Sequence, residues 1–117
     1  MTQITLYHNP RCTKSRAALA LLEERGLNPE LRLYLEQPPT VEELQQLLQL
    51  LQLEARDLLR SNEALSKERS LDDPAVPAIT LLQAMCEHPR LLQRPIAVSD
   101  QRAVLGRPPE RVLELLP

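Results

Sequence analysis

The sequence predicts an α/β fold, and three observations carry that prediction. A short β-branched apolar run is followed by a helix and then by a second strand-like run. A long middle stretch has helical periodicity, and two further β-like pieces and a helix close the chain. A chain of 117 residues buries roughly 65% of the surface its unfolded form exposes, enough for one core. One domain covering residues 1–117 is therefore expected.

The elements follow in order. "QITLY", Gln3 to Tyr7, is apolar and β-branched and stops at Asn9 and Pro10, which predicts a buried strand and a turn. Cys12 to Arg25 is rich in helix formers and ends at Gly26, suited to a left-handed cap. "ELRLYLE", Glu30 to Glu36, alternates with period two and predicts a second strand, stopped by Pro38 and Pro39. A crossover helix between two strands makes them parallel. Thr40 and Glu43 have capping-box spacing, and Val41, Leu44, Leu47, Leu48 and Leu51 form one apolar stripe, so an amphipathic helix starts there. "EARDLLR" adds a further helical turn or two, and "SNEALSKERS" reads as short helical or irregular surface structure. Another helix begins between Asp73 and Pro77 and runs to about Glu87, because proline is tolerated in a first turn. "IAVS" and "AVLG", separated by Asp100, Gln101 and Arg102, predict a hairpin, and a last helix follows Pro108. This order resembles the thioredoxin fold with a helical insertion, at about 40–87, between the second and third strands. In that layout the loop after the first strand, the insertion and the segment before the third strand converge at the sheet edge.

Composition removes several function classes. A formal net charge of -2 and a pI of about 5.7 give no electrostatic case for a nucleic-acid or membrane partner. Tyr7 and Tyr34 are the only aromatics available to stack on bases. No apolar run reaches membrane-span length and the first residues lack a basic leader, so a cytoplasmic location is expected. Twelve of the 14 basic residues are arginine, and the guanidinium fork suits an oxyanion ligand.

The two cysteines have different settings. Cys12 stands at the first turn of a predicted helix, where free backbone N–H groups and the helix dipole favour the thiolate. Arg11, Lys14 and His8 add nearby charge or donors, and Ser15 lies one turn on. Polar neighbours make a buried structural role a poor fit, so Cys12 is the candidate nucleophile. Cys86 continues the stripe of Ile79, Leu82 and Met85 and is expected to pack in the core. His8, Cys12, Cys86 and His88 contain the donors of a zinc site, but H-x3-C and C-x-H are not its usual spacings, and no metal is expected. His88 fits a helix end.

With "YHNPRCTKSR", "LLRSNE", "RPIAV" and "LGRPPE" in this order, the chain resembles the glutaredoxin-coupled arsenate reductase family of the thioredoxin-fold type, in its shorter branch. The resemblance implies an oxidoreductase of arsenic detoxification that converts arsenate to arsenite through a Cys12 thiolate-arsenic adduct. It makes His8 and Ser15 the groups that lower the Cys12 pKa, and Arg60, Arg94 and Arg107 the binders of arsenate or a similar oxyanion. Pro95 matches the cis-proline of such folds. No bound cofactor is implied; glutathione is the co-substrate and glutaredoxin the protein partner. Two departures stand out: Arg11 precedes the nucleophile, and Thr13 and Lys14 replace a Gly-Thr pair. Two alternatives remain open, a monothiol redox protein with another substrate and a Spx-like regulator that binds RNA polymerase. At the motif where such regulators carry C-x-x-C, this chain has Cys12 and Ser15.

Overall fold

A computed structural model describes residues 3–60 and 63–116. Ser61 and Asn62 of the "LLRSNE" motif lie outside the described residues. The chain divides into two compact units, residues 1–37 with 94–117, and residues 38–93.

The first unit is a mixed α/β structure on a four-stranded sheet. Strand β1 is Thr5–Tyr7, helix α1 is Thr13–Glu24, and strand β2 is Glu30–Arg32. After the second unit's segment come β3, Ile96–Val98, and β4, Ala103–Leu105, and then a 3-10 helix over Pro109–Leu115. The order across the sheet is β2-β1-β3-β4. β1 and β2 are parallel, as the intervening helix requires, while β1–β3 and β3–β4 are antiparallel. One face of α1, marked by Ala18 and Leu22, packs on Ile4, Leu6, Ala97 and Val104 from the strands, with Val112 and Leu115 completing the core. Gly26 ends α1 with φ 79°, a left-handed conformation that glycine adopts at no steric cost.

The second unit is helical. Helix α2 is Val41–Leu51, α3 is Ala55–Leu58, α4 is Ala64–Glu68 and α5 is Ala78–Glu87, followed by a 3-10 turn over Pro89–Leu91. The Thr40 capping box is present in both directions: Glu43 N–H donates to Thr40 Oγ1 and Thr40 N–H donates to Glu43 Oε1, each at 3.1 Å. Leu44, Leu47, Leu58, Leu81, Leu82 and Met85 are buried.

Three expectations need correction. The second strand ends at Arg32, because the chain turns at residues 34–36 and the Leu33 carbonyl accepts from Glu36 and Gln37 N–H at 2.9 and 2.8 Å. The last helix is a 3-10 helix entered through Pro108 and Pro109. Cys86 is only half-buried and Ile79 is 46% exposed, so the core face of α5 is set by Leu81, Leu82, Ala84 and Met85.

Candidate functional site

The β register brings several segments of the first unit to one end of the sheet. Tyr7 pairs with Arg32 and with Ile96, and Ile96 pairs with Leu105. The loop leaving β1, the turn after β2, Arg94 just before β3 and Arg107 just after β4 therefore emerge at the same edge.

Local hydrogen bonds shape the loop. The Asn9 side-chain Oδ1 accepts from Arg11 N–H at 3.0 Å, and its backbone carbonyl accepts from Cys12 N–H at 2.9 Å, the turn chemistry that asparagine favours. Cys12 becomes the N-cap of α1 in an extended conformation, with φ -94° and ψ 124°. Its sulfur is placed at the helix start, beside the N–H groups of Lys14 and Ser15.

Burial pushes the Cys12 thiol up, but the net shift is downward. The Ser15 backbone N–H, the Arg94 charge, the Lys14 backbone N–H and a hydrogen bond from the Arg94 guanidinium all favour the thiolate. Arg94 Nε is buried without a hydrogen-bond partner among the described residues. Helix-end amides and one guanidinium thus activate the sulfur.

His8 is placed differently. It is 4% exposed, and its Nδ1 lies 2.7 Å from Ser15 Oγ, which also accepts from Asn9 N–H at 3.0 Å. Burial holds the His8 imidazole below the usual histidine value, which favours its neutral form. Among the expected thiolate-stabilising groups, Ser15 acts on the sulfur through its backbone, while its hydroxyl serves His8 and the loop.

Arg107 is exposed, its N–H donating to the Leu105 carbonyl at 2.9 Å. Arg94–Pro95 and Arg107–Pro108 are both cis. Arg60 belongs to the helical unit, where its Nη1 pairs with Glu63 Oε1 at 3.0 Å. Cys86 is in that unit too, its thiol pushed up by burial and by the charges of Glu43 and Glu87. Among the described residues no cluster of His, Cys, Asp and Glu is arranged to hold a metal ion, and no helix is long and apolar enough to cross a membrane.

The ArsC family profile matches residues 7–115, which include the Cys12 loop and both sheet-edge arginines. The chain belongs to the ArsC family. It is 48% identical over 115 residues to the uncharacterized protein YfgD of Escherichia coli strain K12, covering 97% of each chain. It is 45% identical over 117 residues to an arsenate reductase of Neisseria meningitidis, covering 99% of this chain and 100% of that one. Among solved structures, the arsenate reductase from Vibrio cholerae superposes with a TM-score of 0.95 at 49% identity, covering 98% of each chain. This ArsC-family chain shares with that structure its mixed α/β fold.

One feature beside the site was missed by sequence reasoning. Gly106 supports the proline after Arg94: its N–H donates to the Pro95 carbonyl at 2.8 Å, and a Cβ there would lie 2.8 Å from Pro95 Cγ. The glycine before Arg107 in "LGRPPE" was the available signal.

Proposed function

We propose that the protein is an arsenate reductase that uses glutathione and glutaredoxin. The supporting observation is the Cys12 sulfur at the start of α1, facing the Ser15 and Lys14 N–H groups and the Arg94 guanidinium. A thiolate must approach an anion against charge repulsion, and fixed donors around the sulfur lower that barrier. In this reading the domain spans residues 1–117 and is thioredoxin-like, with the helical segment inserted between β2 and β3.

Cys12 attacks arsenic(V), an S–As bond forms, and one oxygen leaves as water. Glutathione sulfur adds to the same arsenic and a second oxygen leaves as water. A glutaredoxin thiol then attacks the glutathione sulfur; an S–S bond forms, and the electron pair of the broken S–As bond stays on arsenic, now arsenic(III). Hydrolysis of the remaining S–As bond restores Cys12 and releases arsenite. The sum is arsenate plus two thiols giving arsenite, one disulfide and one water. Arg94 and Arg107 stand at the sheet edge to hold the anion; the role of Arg60 rests on the sequence motif alone.

The test is arsenate turnover with glutathione and glutaredoxin, coupled to NADPH oxidation through glutathione reductase. Turnover abolished by Cys12→Ser supports the proposal. Wild-type protein without turnover under these conditions overturns it.

A further inference from the structure

The loop that ends at Cys12 has a second flank. A cleft of about 290 Å³ opens between it and the turn after β2. Asn9 and Arg11 form one wall, Leu33, Leu35 and Glu36 the other, and His8 lines it as well. Cys12 follows Arg11 directly in the chain and is not itself among the residues that line the cleft.

Arg11 and Glu36 are both exposed, and neither side chain forms an ion pair among the described residues. A single solvated charge is ordinary on a surface. Opposite charges on the two walls of one concavity, next to a leucine that is 45% exposed, match a ligand with both signs of charge and an apolar stem. His8 has its Nδ1 committed to Ser15, so its other ring nitrogen is the one left for such a ligand.

We propose that this cleft is the binding site of the thiol co-substrate, a zwitterionic peptide thiol of the glutathione type, with its carboxylate on Arg11 and its ammonium on Glu36. The inference rests on the reductase reading in one respect, the need for a thiol from outside the chain. Ser15 occupies the position one turn after the nucleophile and cannot form a disulfide. Arg11, on which the ligand's carboxylate would rest, immediately precedes Cys12 in the chain. In the step it serves, its sulfur bonds to arsenic, an As–OH bond breaks, and the hydroxyl leaves as water with the thiol proton; arsenic stays at arsenic(V).

S-Methylglutathione, which carries the same charges and cannot react, separates binding from chemistry. Titrated into isotope-labelled protein, it is expected to shift the amides of Asn9, Arg11 and residues 33–36. Arg11→Ala and Glu36→Gln are each expected to weaken binding roughly fivefold, the scale of one exposed ion pair. Arg25→Ala, at an exposed cation outside the cleft, controls for net charge and is expected to bind as wild type. Shifts that map elsewhere, absence of binding, or equal affinity in all four proteins overturn the site. Because the titration uses no arsenate, a cleft that binds in a protein without arsenate turnover sinks the substrate assignment and leaves this site standing.

Discussion

Ser15 Oγ lies 2.7 Å from His8 Nδ1, and both residues are buried within the wall of the Cys12 loop. The same oxygen accepts from Asn9 N–H, while the Ser15 backbone N–H faces the Cys12 sulfur. One residue thus holds the loop with its side chain and favours the thiolate with its main chain.

Ser15→Ala separates these two roles. It leaves a buried imidazole nitrogen and the Asn9 N–H without their partner, a loss of about 1–3 kcal/mol of stability. The backbone N–H remains, so the Cys12 pKa is expected to stay low. Urea unfolding reads the first effect and the pH dependence of iodoacetamide alkylation the second. A return of Cys12 to ordinary thiol behaviour in this variant would move the activating role to the hydroxyl.

Cys12 is expected to alkylate with a midpoint below that of a free thiol, about 8.5. Arg94→Ala removes a charge and a hydrogen bond and raises the midpoint, leaving part of the depression to the Ser15 and Lys14 amides. Arg94→Lys retains charge but loses the two-pronged geometry, so it impairs oxyanion handling while the fold persists. Because the folded-state pKa is depressed, ionisation of Cys12 adds stability above the unfolded thiol's pKa. That contribution disappears as pH falls through the folded value. An unshifted alkylation midpoint in Arg94→Ala removes Arg94 from the activation of Cys12.

Gly106→Ala forces a methyl group to within 2.8 Å of Pro95 Cγ and 3.0 Å of Val112 Cγ1. The overpacking is expected to cost about 1–3 kcal/mol. Since Pro95 follows Arg94 directly, its displacement is expected to carry the guanidinium with it and raise the Cys12 alkylation midpoint. A variant with lowered melting temperature and an unchanged midpoint confines Gly106 to packing.

Cys86 is expected to react slowly at neutral pH, because burial and two carboxylates push its thiol up. Limited alkylation followed by mass spectrometry is expected to label Cys12 first. Cys86→Ser then retains most turnover and Cys12→Ser has none. Lost turnover in a folded Cys86→Ser protein, with a Cys12–Cys86 disulfide found by mass spectrometry, points to a two-cysteine enzyme.

Local rules carried much of the fold. The Thr40 box, the Gly26 cap and the placement of Cys12 at a helix start depend on neighbours a few positions apart, and each is present. The alternation from Glu30 to Glu36 was misleading for a tertiary reason. It put Leu31, Leu33 and Leu35 on one face, yet Leu31 and Leu35 are over 40% exposed while Tyr34 is 1% exposed. β2 is an edge strand, and the turn after it re-aims the side chains that the pattern assigned to a face. The stripe on α5 held at Leu82 and Met85 and failed at Ile79 and Cys86, because Leu81 and Ala84 are also buried and turn the core face away from the first and last members of the stripe. The helix-start amides at Ser15 and Lys14 were legible from the placement of Cys12, whereas the action of Arg94 on the sulfur was not, because only the pairing of β1 with β3 brings that distant residue to the Cys12 loop.

The pairing of β1 with β3 gives the nucleophile a timetable. Cys12 is made early in synthesis and Arg94 late, and they meet only when Ile96 registers against Tyr7. A nascent chain therefore carries a thiol that lacks its guanidinium partner, and the full reactivity of Cys12 is acquired only when the sheet closes. The share of the activation that comes from Arg94 therefore arrives with the native sheet, whereas the share from the Ser15 and Lys14 amides needs only the helix start.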